Sequence, residues 1–163
     1  MKLRVQWIRD LGSAMAPFNA FLSMMGAETL HVRMDRHCSN ALALAKHLQT
    51  HPKVGWVNYP GLPESKEYQM AQKYLKGCSG VLCVKGGAAA GERVMNSLKV
   101  AAIAVHVADL RTCVLHPASM THRQLSEAEQ IAAGVSPDLI RVSVGLEHID
   151  DLIADFDQAL ANA

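Results

Sequence analysis

The chain has 163 residues, with 16 lysines and arginines against 15 aspartates and glutamates, for a formal net charge of +1. Half of the residues are hydrophobic and 19% are charged; these values suit a soluble globular protein of one domain, or one domain with a helical appendage, and argue against disorder. With no basic excess to neutralise phosphates, nucleic acid is not expected as a partner; with no apolar run longer than Val100 to Val105, far short of the ~20 residues that span a bilayer, neither is a membrane.

In chain order, Met1 to Gly12 shows no clear amphipathic face and reads as a connector. Pro17 has the signature of a first helical residue, and the following Phe18-Asn19-Ala20-Phe21-Leu22-Ser23-Met24-Met25 is apolar all round, which predicts a mostly buried helix ending at Gly26. A longer helix is expected from about Glu28 to Thr50, with Leu30, Met34, Ala41, Leu44, Ala45 and Leu48 on one face and Pro52 stopping it. His31, His37 and His47 are expected at its surface or boundary. Val54 to Tyr59 reads as a strand, Glu64 to Leu75 as a short polar helix, Val81 to Lys85 as a second strand stopped by Gly86-Gly87, and Ala88 to Leu98 as a helix. Val100 to Val107 is open between helix end and strand.

Thr112 to Leu115 reads as a third strand. Ser126-Glu127-Ala128-Glu129 is a capping box that starts a short helix ending at Gly134. Leu139 to Val144 alternates as a fourth strand, and Ile149 to Leu160 closes the chain as an amphipathic helix with Asp150 and Asp151 near its positive end. Strands separated by helices fit a parallel α/β sheet and an α+β layer equally well.

No secretory signal follows Met1-Lys2-Leu3-Arg4, and Cys38, Cys78, Cys83 and Cys113 are scattered without a C-x-x-C pair. A cytoplasmic chain with reduced thiols is the expectation, and no metal site, because no closely spaced ligand pair seeds one. There is no G-x-G-x-x-G, Walker A or G-x-S-x-G motif. Two segments stand out. His116-Pro117-Ala118-Ser119-Met120-Thr121-His122 gathers two histidines and two hydroxyls in a loop after a strand, where function concentrates, although Pro117 also suits a purely structural turn. Arg141 and Ser143 share the sheet face opposite Ile140, Val142 and Val144; a guanidinium there is a rigid fork for a carboxylate ligand, or else a surface arginine paired with Asp or Glu.

Several runs together carry a resemblance. Ala16-Pro17-Phe18-Asn19-Ala20-Phe21, Glu28-Thr29-Leu30-His31-Val32-Arg33-Met34-Asp35-Arg36-His37 and Trp56-Val57-Asn58-Tyr59-Pro60-Gly61-Leu62 are followed by the His116–His122 run and by Leu139-Ile140-Arg141-Val142-Ser143-Val144-Gly145-Leu146-Glu147. In that order they resemble the Cys/Met-metabolism family of pyridoxal-phosphate (PLP) enzymes. The Phe-Asn-Ala-Phe and Trp-Val-Asn-Tyr-Pro-Gly runs favour its O-acetylhomoserine sulfhydrylase branch, with methionine γ-lyase and cystathionine γ-synthase or lyase as runners-up. A non-catalytic binding or assembly module is the alternative from another class.

The resemblance implies the C-terminal domain of such an enzyme. The fold expected is α+β, a mostly antiparallel four-stranded sheet with helices on one side, preceded by a helical connector: residues 1–50 as connector and helices, 51–163 as the substrate-binding domain. The N-terminal PLP domain would be absent, and with it the Schiff-base lysine of a Ser-x-Thr-Lys motif, which no lysine of this chain matches. No catalytic residue is therefore expected here, no PLP bound to this chain alone, and no turnover without the PLP domain as partner. The intact enzyme would bind PLP and an amino-acid substrate, and would be a homo-oligomer. By resemblance Arg141 grips the substrate α-carboxylate, Thr121 lies beside the pocket, and His106 stands where relatives carry Ser or Asn that helps hold the same carboxylate. Ala108 stands where relatives carry glycine.

Overall fold

A computed structural model describes residues 1–85 and 88–162. The expected strand stop at Gly86-Gly87 lies outside the described residues. The chain divides into two compact units, Met1–Arg33 and Met34–Ala163.

The first unit is helical. A π-helical stretch, Leu3–Ile8, runs into α1 (Arg9–Leu11), which Gly12 ends at a φ of 67°, and α2 spans Pro17–Glu28 with proline at its start. The segment read as a connector is helical. The helix expected to be mostly buried is not: Phe18 and Phe21 are 68% and 55% exposed, and no α2 residue is buried. A helix apolar all round needs cover on every side, and the described residues supply none. At its end the Arg33 guanidinium donates to the Gly26 carbonyl and to Thr29 Oγ1 (3.2 Å).

The second unit is built on a sheet. Helix α3 spans Leu30–Gln49, and its later turns bury Ala41, Leu44, Ala45 and Leu48 at 0–1% exposure. The compact sheet unit takes in the chain from Met34 onward, and these side chains are part of its core. Then follow β1 (Trp56–Asn58), α4 (Tyr68–Tyr74), β2 (Val81–Lys85), α5 (Ala88–Ser97), β3 (Ala102–Ile103), β4 (Cys113–Leu115), α6 (Glu127–Ala132), β5 (Leu139–Ser143) and α7 (Ile149–Ala161).

The sheet order is β1-β2-β5-β4-β3, antiparallel except for the parallel β3–β4 pair. The expected four strands become five: the ambiguous stretch after Val100 supplies β3, whose Ala102 N–H donates to Thr112 O (2.9 Å) while Ala104 N–H donates to Val114 O (3.1 Å). Leu82, Val114, Ile140 and Val142 form one core with Ala41 and Leu44 of α3, Val94 and Met95 of α5, and Leu152, Phe156 and Ala159 of α7. Three helices thus pack on one sheet face, as an α+β layer requires.

His37 also departs from expectation. It is 3% exposed, and its Nδ1 meets the Val144 carbonyl at 2.6 Å; a carbonyl only accepts, so Nδ1 carries the proton. His31 is exposed, and His47 sits at the boundary with Nε2 2.6 Å from Asp157 Oδ1. No helix among the described residues is long and apolar enough to cross a membrane, and no group of three or more potential ligands there could hold a metal ion.

Candidate functional site

Strand β5 presents Arg141 on the face away from the helices, because side chains alternate along a strand. Its register neighbours are Cys83 on β2 and Leu115 on β4. Arg141 is half-buried, and its Nη2 donates to the carbonyls of Val105 (2.9 Å) and His106 (3.4 Å). Its Nε is buried with no partner. No carboxylate among the described residues pairs with it, so the surface ion-pair reading of this arginine fails.

The segment between β3 and β4 is what holds Arg141 from one side. Ala108 adopts a φ of +64°, and its N–H donates to Ser143 Oγ at 3.1 Å. Asp109 accepts from Arg111 N–H at 3.0 Å and lies 3.3 Å from His106 Nδ1. These two contacts, with the charges of Arg111 and His106, hold its carboxyl below the usual carboxylate range. His106 therefore meets Arg141 through its main-chain carbonyl, while its ring is exposed and turned to Asp109.

The loop after β4 is pinned at several points. His116 Nε2 donates to Pro137 O (2.7 Å), which leaves Nδ1 to accept from the Ser119 hydroxyl (2.8 Å). Gln130, buried on α6, donates to the carbonyls of Ala118 (3.0 Å) and His122 (2.9 Å). Thr121 is exposed, and its Oγ1 lies 2.9 Å from His122 Nδ1. The β4–β5 pairing brings this loop to the Arg141 end of the sheet, since it begins one residue after Leu115. No hydrogen bond among the described residues joins Thr121 to Arg141.

A polar knot below the site escaped sequence reasoning. Glu147 takes the Thr112 N–H (2.6 Å) and hydroxyl (2.8 Å), and Thr112 Oγ1 in turn accepts the Gly145 N–H (2.8 Å). A Cβ at Gly145 would collide with Glu147 Oε2 and the Thr112 nitrogen, so only glycine fits. Asn40 adds Nδ2 bonds to the carbonyls of Gly145 (3.0 Å) and Glu147 (2.9 Å). The signal available in the sequence was the polar and glycine residues directly following the apolar alternation of β5. Cys83 and Cys113 lie on the arginine face, and burial pushes both thiols up.

A covalently held PLP needs an enclosed lysine. Lys2, Lys46, Lys53, Lys66, Lys73, Lys76 and Lys99 are all exposed, so none of these seven fits that role. The described residues fit an anion held by a guanidinium on a sheet face.

The chain that builds this α+β unit and its arginine belongs to the Cys/Met metabolism PLP-dependent enzyme family, whose match covers residues 1–161. The match includes the helical first unit as well as the sheet. Among its relatives, homocysteine synthase of Schizosaccharomyces pombe is 52% identical over 160 residues, covering 96% of this chain and 37% of the relative. O-acetyl-L-homoserine sulfhydrylase of Leptospira meyeri is 46% identical, covering 99% and 38%. A crystal structure of a putative O-acetylhomoserine (thiol)-lyase from Campylobacter jejuni, with N'-pyridoxyl-lysine-5'-monophosphate at its position 205, superposes with a TM-score of 0.91 at 39% identity, covering 98% of this chain and 39% of that one. The chain thus spans under two fifths of the length of these relatives.

Proposed function

We propose that the chain is the substrate-carboxylate part, at the C-terminal end, of an O-acetylhomoserine sulfhydrylase-type enzyme, a homo-oligomer when intact. In that reaction sulfide replaces the acetate on the γ-carbon of O-acetylhomoserine, releasing acetate and giving homocysteine. PLP, held by the remainder of the polypeptide, supplies the electron-withdrawing chemistry.

The observation that carries this reading is Arg141. Two carbonyls fix one end of its guanidinium, while its buried Nε lacks a partner. A buried donor without an acceptor costs about 1–3 kcal/mol, and such deficits belong to binding sites more than to cores. An amino-acid carboxylate supplies the missing negative charge, and a guanidinium held from behind fixes the orientation of the ligand's Cα. The pinned 116–122 loop, which starts one residue after the Leu115–Arg141 register pair, would border the same region, with Thr121 on it. His106 contributes its carbonyl to the arginine, and its ring acts on Asp109. The exposed apolar residues of α2 also fit a longer polypeptide that covers them. Without the Schiff-base lysine of the Ser-x-Thr-Lys motif, which no lysine here matches, the chain alone gives no turnover.

The test is reconstitution. The chain is combined with a separately produced PLP domain of the same enzyme, and sulfide-dependent formation of homocysteine is followed. Arg141→Ala should lower kcat/KM about a hundred-fold or more, as expected for losing charged hydrogen bonds of about 1.5–3 kcal/mol each, and Arg141→Lys should recover part of it. Unchanged kinetics would remove Arg141 from the site.

A further inference from the structure

A cavity away from Arg141 lies between α3 and the loop that leads from α4 into β2. It has a volume of about 370 Å³, and its lining includes Cys38, Cys78, Tyr59, Lys46 and Lys76. Both cysteines are free and half-buried. Cys38 comes from α3, and its sulfur stands 2.9 Å from where a Cβ at Gly77 would be, one residue before Cys78. Cys78 Cβ in turn lies 3.2 Å from the Cβ position of Gly61, where the Tyr59 ring also packs. The Tyr59 hydroxyl donates to Ser79 O at 3.0 Å, which keeps the phenol beside the Cys78 segment. Burial pushes this phenol up, and both thiols add to the shift, so the two sulfurs act on one oxygen. The backbone on the Cys78 side is irregular, with Ser79 at a φ of 69°.

We propose that Cys38 and Cys78 are a redox pair, which a low-molecular-weight disulfide converts into an intramolecular disulfide tying α3 to the loop entering β2. One protein thiolate attacks the reagent's S–S bond, forming a mixed disulfide and releasing one reagent thiol. The second protein thiolate then attacks the protein-bound sulfur and releases the other. In sum, two protein thiols lose two hydrogens and one reagent disulfide becomes two thiols. Lys46 and Lys76 line the same cavity, and their positive charge draws in an anionic oxidant. The other cysteines cannot substitute for one another. Cys83 on β2 and Cys113 on β4 are separated by β5, which puts them about 9–10 Å apart at ordinary strand spacing, beyond the ~7 Å that a disulfide spans.

The full chain is incubated with oxidised glutathione, and its peptides are mapped by mass spectrometry with and without dithiothreitol. The expected result is a Cys38–Cys78 cross-linked pair, lighter by two hydrogens and reversed by dithiothreitol, with Cys83 and Cys113 still free. In Cys38→Ser, Cys78 should instead accumulate a stable glutathione adduct. Stable adducts on both residues of the unsubstituted chain, a cross-link through Cys83 or Cys113, or links only between chains would each overturn the proposal.

Discussion

The two faces of the sheet are made from the same strands by opposite means. On β2, Leu82 points into the helix-covered core while its neighbour Cys83 faces Arg141; on β5, Ile140 and Val142 are core while Arg141 and Ser143 face the other way. The core face is closed mainly by hydrophobic contact, with directed bonds of His37, Asn40 and Asp155 at its edges. The arginine face is organised by directed bonds to backbone: Ser143 to Ala108, Arg141 to Val105 and His106, His116 to Pro137. Apolar burial is non-directional and supplies the bulk of stability, whereas oriented hydrogen bonds add little net energy but fix geometry. The core face folds the domain, and the other face is the one we propose for a ligand.

The sharpest way to break that division is to mutate across it. Leu82→Ala removes a side chain that is 1% exposed and should cost about 2–5 kcal/mol, the range for such truncations in cores. Arg141→Met, one strand away, should change stability by under about 1 kcal/mol, because the loss of its bonds to two carbonyls is offset by removal of an unpartnered buried donor. Urea unfolding of both variants of the chain measures the contrast. A loss at Arg141 equal to that at Leu82 would make the arginine a structural residue.

Asp155 tests the join between the two sides, since its helix α7 packs on the core face while its carboxylate holds the approach to β3. Oδ1 and Oδ2 accept the N–H groups of Lys99 (2.8 Å), Val100 (2.9 Å) and Ala101 (3.0 Å). Burial by itself would raise this carboxyl, but those bonds, with one from Gln158, outweigh it and hold the group below its ordinary value. A depressed carboxylate stabilises the fold fully above the unfolded value of about 3.9 and loses that contribution as pH falls through the lower folded value. Asp155→Ala should therefore cost about 2–3 kcal/mol near neutral pH. The gap to the unsubstituted chain should close as the pH drops below about 4, in unfolding curves taken across that range. A gap that persists at low pH would assign Asp155 to packing alone.

Legibility in the sequence followed the range of the interactions. Alternation in β5 placed Arg141 and Ser143 together because the period is set by the strand itself. The Ser126–Glu129 capping box formed as read, since its bonds span three residues. Strand β3 is not legible in the sequence because two residues carry no period; its pairing comes from the Thr112 and Val114 carbonyls. The strand read as Val54 to Tyr59 shortens to Trp56–Asn58, because Tyr59 turns in to bond Ser79. His37 was placed outside for want of any local sign of its partner, a carbonyl 107 positions away. For the proposed site, strand alternation makes the face of Arg141 legible, but the His106 carbonyl contact and the bond from Thr121 to its neighbour depend on loop geometry that no spacing encodes.

Ala108 gives the smallest effect and the finest test of the arginine face. An L-residue with a side chain at a φ of +64° strains against its own carbonyl by about 1–2 kcal/mol. The strain persists because Ser143 anchors the N–H and because residues 104–112 must return the chain to lie parallel beside β3. Glycine removes the clash but widens the unfolded ensemble, which takes back about 0.4–1 kcal/mol. Ala108→Gly should thus stabilise the chain by about 0.5–1 kcal/mol, read as a small rise in the urea midpoint with an unchanged slope. In the reconstituted enzyme the carbonyls of Val105 and His106 should stay on Arg141, so kcat/KM should hold. A stability gain with falling kcat/KM would show that the strained turn itself aims the guanidinium, and that this face stores conformational strain as well as directed bonds.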